Sequence, residues 1–150
     1  LEDVLGKYKG KMLVNIELKN YHAPRNQLAA VVAEMVKRLD VNDSVIFSSF
    51  LPRNLFKIRK LLPEAKTALL VEKGLEGGLL TSRLFSFISP EFIHPSHDFI
   101  NVAYLRYEHE NHRRVNTWTV NDLDDARDFI DWGIDGLITD DPKGLLGLNP

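Results

Sequence analysis

Short runs of β-forming apolar residues alternate along this chain with segments whose apolar residues recur at helical spacing. That alternation constrains the fold more than any other feature. Residues 14–18, 45–50, 67–71, 92–95, 115–120 and 134–139 read as strands. Pro24 suits a first helical turn, and Leu28, Val31, Val32, Met35, Val36 and Leu39 then mark one helix face. Leu55, Ile58 and Leu62 mark the inner face of a helix over residues 53–62, which Pro63 stops. Gly74, Gly77 and Gly78 mark a loop, and residues 79–87 and 101–110 read as helices. Asn121 or Asp122 can cap a helix over residues 123–132, with Leu123, Ala126, Phe129 and Ile130 inward and Gly133 in the left-handed position behind it. Strands separated by helices need crossover connections, so the sheet is expected to be parallel: an open doubly wound sheet or part of a barrel.

With 150 residues the chain can hold one domain, spanning 1–150, with a core of its own. A net charge of -2 and a pI near 6.2 give no electrostatic attraction to nucleic acid or an anionic membrane. No apolar run approaches the roughly 18 residues needed to span a bilayer. The start, Leu1-Glu2-Asp3-Val4, lacks the basic and apolar regions of a secretory signal. The absence of cysteine excludes disulfides and thiolate metal sites. That absence fits any compartment, and the cytoplasm is the one favoured.

The polar groups gather at strand ends. Glu17 and Lys19 stand two residues apart at the end of the first strand and so point to one side of the sheet. Charge is costly in a buried strand, and in parallel α/β folds ligands collect beyond the carboxyl ends of the strands. Glu17 is a hard oxygen ligand suited to Ca²⁺ or Mg²⁺, and Lys19 is a point charge for a phosphate oxygen. The alternative is a structural ion pair or a solvated strand end. Ser48, Ser49 and Phe50 end the second strand, and Trp118, Thr119 and Asn121 lie at the end of the fifth. Asp135, Thr139, Asp140 and Pro142 bracket the last. Ser48 and Ser49 read as hydroxyls bonded to backbone, because neither lies in a nucleophile elbow. By residue type alone, Trp118 more often fills a core than binds substrate.

The histidines offer no metal spacing. His94 precedes Pro95 at a strand end and can face the mouth or serve only in a loop. His22, His97, His109 and His112 form no HExxH pattern. Glu108, His109, Glu110, His112, Arg113 and Arg114 read as the solvated end of a helix. The glycines at 74, 77 and 78 match neither the P-loop nor the dinucleotide fingerprint.

Taken in order, Asn15-Ile16-Glu17-Leu18-Lys19, Ser48-Ser49-Phe50, His94-Pro95, Trp118-Thr119-Val120-Asn121 and Asp135-Gly136-Leu137-Ile138-Thr139-Asp140 with Pro142 resemble the glycerophosphodiester phosphodiesterase family across nearly the whole chain. Even the first five residues resemble the segment before that family's glutamate strand. The resemblance implies the C-terminal part of a TIM barrel, with roughly five or six of its eight parallel strands and their crossover helices. It implies hydrolysis of glycerophosphodiesters to glycerol 3-phosphate and an alcohol, within glycerol and lipid metabolism, and a divalent cation such as Ca²⁺ or Mg²⁺. Glu17 would then ligate the metal, Lys19 would act catalytically on the phosphate, and Phe50, Trp118 and His94 would line the substrate side.

The departures from the family pattern carry their own expectation. An early His-Arg, a Glu-x-Asp metal pair and a His-Asp motif have no counterpart here, and with them go the general acid and base histidines. Glu17 then lacks partner ligands, whereas Ca²⁺ takes about six to eight oxygens. The chain alone is expected to bind metal poorly and to show little turnover. A partial barrel leaves two sheet edges, which a homo-oligomer or the missing N-terminal half would cover. Two other readings stand beside this one: a non-catalytic binding module on the same barrel, and a phospholipase D-like toxin enzyme of the same superfamily.

Overall fold

The computed structural model describes residues 1–20, 22–23, 27–72 and 86–148. Six strands carry the fold: β1 (Val14–Glu17), β2 (Val45–Ser49), β3 (Lys66–Val71), β4 (Phe92–Pro95), β5 (Arg114–Thr117) and β6 (Gly136–Leu137). The helices are α1 (Glu2–Tyr8), α2 (Leu28–Leu39), α3 (Pro52–Leu61), α4 (Val102–Glu110), α5 (Leu123–Asp131) and α6 (Pro142–Leu145). No helix among the described residues is long and apolar enough to cross a membrane.

Strand order decides between the two architectures that the element pattern allows, in favour of the barrel that the family resemblance implies. The sheet runs β1-β2-β3-β4-β5-β6 with every pairing parallel. A doubly wound sheet reverses direction at a switch point; an order that never reverses belongs to a barrel. Curl shows directly, because the Phe50 and Trp118 rings beyond the ends of β2 and β5 meet edge to face with centroids 5.3 Å apart. In a flat sheet three interstrand spacings would hold those strands about 14 Å apart. The protein is a curled part of a barrel, with β1 and β6 at its edges.

The two faces of the sheet differ in chemistry. Ile16, Phe47, Leu69, Val71, Ile93 and Val115 point outward and pack with Val32, Val36, Leu55, Ile58, Leu105 and Phe129 of the helices into the main core. Ile46, Ala68 and Phe92 form a small separate cluster on the inner face. Above that cluster Glu17, Ser48 and His94 bring polar groups to the inner face. Glu17 pairs in register with Ser48, and Leu70 with His94.

Several local expectations shift. In α2 the buried residues are Ala29, Val32, Ala33 and Val36, while Val31 is exposed. Small alanines join Val32 and Val36 on the packed face, and Leu28, Met35 and Leu39 pack against the core at its margin. Leu123, in the first turn of α5, is likewise exposed. Asp122 is the N-cap of that helix, accepting from the backbone N–H groups of Asp124 and Asp125, and Gly133 has φ of 86° as expected. β5 ends at Thr117 and β6 is only two residues long, both shorter than the apolar runs suggest. The turn expected at Pro24, the glycine loop and most of the helix at 79–87 lie outside the described residues; Ser86–Ile88 is a short 3₁₀ turn.

The charged stretch that ends α4 holds the main correction. His109, Glu110, His112 and Arg114 are exposed as expected, but Glu108 and Arg113 turn inward and form a fully buried ion pair at 2.6 Å. His109 bonds the Asp135 carboxylate at 2.8 Å, and the same oxygen accepts from the Val115 backbone N–H.

Candidate functional site

Strand alternation places Glu17, Lys19, Phe50, His94 and Trp118 on one face. Glu17 and Ser48 are register partners, so Lys19 and Phe50, each two residues further on, keep the inward parity. Leu70 and His94 are partners on the same side, and Ser96 bridges Trp118. All five expected site residues thus lie at the carboxyl ends of the strands, facing the barrel interior.

Lys19 Nζ lies 3.2 Å from Glu17 Oε2, with the lysine side chain 65% and the glutamate 28% exposed. The pair is open to solvent on the ammonium side and partly walled on the carboxylate side. On the far side, Trp118 is held by its indole N–H, which donates to the His94 carbonyl at 2.8 Å, and by the edge-to-face contact with Phe50. The structure thus has a charged side at β1 and an aromatic side drawn from β2 and β5.

His94 is buried, with 1% of its surface exposed, and its role differs from that of a rim histidine. The Asn116 side-chain amide lies 3.0 Å from His94 Nε2 and links β5 to the ring. Burial pushes the imidazole pKa down from 6.5 to about 4, and the ring is neutral at ordinary pH. His94 Nδ1 and Ser48 Oγ are buried on the inner face without a hydrogen-bond partner among the described residues. Ser49, one position on, points outward. Its hydroxyl donates to the Leu18 carbonyl and accepts from the Leu51 N–H and the Asn54 amide, tying β1 to β2 and the start of α3.

The remaining signature residues build the frame. Asn121 donates to the Asp140 carboxylate and accepts from the Thr139 hydroxyl and the Asp140 N–H, locking the loop after β5 to the loop after β6. Asp141 accepts from the Gly144 N–H and caps α6. A Cβ at Gly136 would meet Asn116 Oδ1 at 2.5 Å, so the glycine leaves room for that side chain where it now lies. Asn116 was missed in the sequence, though its place two residues before Trp118 puts it on the same face. A groove of about 460 Å³ between α4 and the end of α5 holds none of the site residues.

The family model for glycerophosphoryl diester phosphodiesterases matches residues 1–144. The chain belongs to that family. It is 30% identical over 137 residues to a glycerophosphodiester phosphodiesterase of Caldanaerobacter subterraneus subsp. tengcongensis, covering 91% of this chain and 55% of that one. It is 33% identical over 146 residues to the Bacillus subtilis protein YqiK, covering 95% and 59%. Among solved structures, this family member superposes on the Thermotoga maritima glycerophosphodiester phosphodiesterase with a TM-score of 0.69 at 25% identity, covering 91% of this chain and 57% of that one. It shares its fold with an Oleispira antarctica phosphodiesterase in complex with the product sn-glycerol-3-phosphate, with a TM-score of 0.80 at 23% identity over 97% of this chain and 57% of the other. The chain spans between 55% and 60% of the length of its relatives.

Proposed function

We propose that this chain supplies the phosphate- and glycerol-contacting wall of a metal-dependent phosphodiesterase that cleaves glycerophosphodiesters to glycerol 3-phosphate and an alcohol. The observation that carries the reading is the Glu17–Lys19 pair at 3.2 Å, on the same sheet face and strand end as the Phe50–Trp118 pair. Lys19 holds a phosphate oxygen as a mobile point charge and stabilises the negative charge that builds at phosphorus. Phe50 and Trp118 offer apolar surface to the glycerol carbons, with the indole fixed by its bond to the His94 carbonyl. Family membership and the neighbour that holds sn-glycerol-3-phosphate support that substrate class.

The donor set here does not by itself fit a divalent cation. Glu17 provides one carboxylate, already engaged by an ammonium, against the about six to eight oxygens that Ca²⁺ takes. No step is therefore assigned to a metal on these residues alone; Glu17 serves as one ligand of a site whose other donors come from elsewhere in a longer family protein. Neither His94 nor His109 serves as general acid or base at this face. His94 is buried, and His109 is engaged with Asp135. The chain on its own is expected to bind glycerol 3-phosphate without turnover.

Release of glycerol 3-phosphate from glycerophosphocholine, measured with added Ca²⁺ or Mg²⁺, tests this. Turnover at the level of an ordinary enzyme would overturn the account of the missing acid and base. Calorimetric titration with glycerol 3-phosphate tests the wall itself, and absence of binding would remove Lys19 and Trp118 from the proposal.

A further inference from the structure

The β4–β5 ladder is weakest where the site needs it firm. Strand pairing covers only Phe92–Arg114 and Ile93–Val115, and resumes at the Ser96–Trp118 bridge. Pro95 explains the interruption. Its carbonyl faces β5, where it accepts from the Trp118 N–H at 3.2 Å and the Thr117 hydroxyl at 3.0 Å. In a parallel ladder the N–H of the same residue would face β5 as well, and proline has none.

The side chains replace that link on the inner face. Asn116 lies over Gly136, which leaves room for it, and reaches His94 Nε2 at 3.0 Å. The same His94 offers its carbonyl to the Trp118 indole. A single residue of β4 is therefore held by Asn116 and itself holds Trp118, across the gap that Pro95 leaves.

We propose that Asn116 is a positioning residue that sets the pose of the Trp118 indole, and through it the aromatic wall of the pocket, by tying the His94 ring to β5 where the backbone bond is lost. The functional meaning rests on the phosphodiesterase reading above; the geometric claim does not.

The test uses Trp132→Phe as background, since the chain has two tryptophans and this leaves Trp118 as the sole indole. Asn116→Leu keeps the branched shape and removes the hydrogen bond. Acrylamide quenching of Trp118 is expected to rise about twofold and its near-ultraviolet dichroism to weaken, with far-ultraviolet dichroism unchanged. Thr67→Val, which removes a buried hydroxyl bond from β3 to the Ile88 carbonyl, should lower the melting temperature but leave Trp118 quenching alone. If Asn116→Leu does not fold, Asn116→Ser carries the test, because its hydroxyl is too short to reach the ring. Unchanged quenching in the folded variant overturns the proposal. Increased quenching in Thr67→Val equal to that in the Asn116 variant overturns it too, because the effect would then be general loosening. Because no ligand is present, failure of the wild-type chain to bind glycerol 3-phosphate sinks the functional reading and leaves this result standing.

Discussion

Two glutamates in this molecule face basic partners, and their surroundings are opposite. Glu108 meets Arg113 at 2.6 Å with side chains 0% and 2% exposed, at the amino-terminal end of the barrel. Glu17 meets Lys19 at 3.2 Å with side chains 28% and 65% exposed, at the carboxyl-terminal end. A planar guanidinium held by α4 and the turn before β5 is a fixed component, and nothing outside can reach it. An ammonium on a solvated four-carbon stem can leave its carboxylate for a phosphate. Burial, more than pairing, separates the structural pair from the candidate functional one.

The largest effect expected from breaking this comparison is at the buried end. Glu108→Ala or Arg113→Ala leaves one charge inside without its partner, and a loss of about 3–5 kcal/mol in urea unfolding is expected. Replacing both, as Glu108→Leu with Arg113→Met, should recover most of that loss, since apolar pairs of similar size often match a buried ion pair. Full loss in the double variant would mean that the pair supplies more than charge compensation.

That pair also shows why part of the fold stays hidden in the sequence. Six charged or ionisable residues between 108 and 114 have the composition of a solvated surface, and composition cannot say which one turns inward. The helical period could have done so. Tyr104, Leu105 and Glu108 share the buried face of α4, and Glu108 stands four and three residues after the two apolar ones. The charged strand end was legible for the converse reason: a period of two puts Glu17 and Lys19 on one side of the sheet, whereas Phe50 and Trp118 join them in the sequence only through the resemblance to the family. Strand order, which separates a barrel from a doubly wound sheet, is a non-local property, and no local pattern carries it. The burial of His94 also depends on neighbours from other strands, Asn116 among them.

A middle effect belongs to His94, a buried group that is neutral instead of paired. Its folded pKa is lowered to about 4 from 6.5, so the unfolded chain takes up the proton first as pH falls. Its contribution is intact above about pH 6.5 and shrinks as pH falls toward 4, by about 1.4 kcal/mol per unit, on the order of 3 kcal/mol in all. Urea midpoints at a series of pH values measure this slope. His94→Gln should flatten it, and an unchanged slope in that variant would assign the acid sensitivity to other groups.

The smallest stability effect is expected at the open pair, where the effect on binding should be largest. Lys19→Ala removes an ammonium that is two-thirds in water, and surface pairs contribute about 0–1 kcal/mol, so unfolding should barely move. Binding of glycerol 3-phosphate should weaken about tenfold or more, the size of one lost charge-assisted contact. Lys19→Arg keeps the charge but changes a compact point donor into a planar fork, and should restore only part of the affinity. Glu17→Gln removes the carboxylate that competes with phosphate for the ammonium, so affinity for glycerol 3-phosphate should hold or rise in the same titration. A loss of stability above about 2 kcal/mol in Lys19→Ala, with affinity intact, would place this pair beside Glu108 and Arg113 as structure and erase the contrast between the two ends.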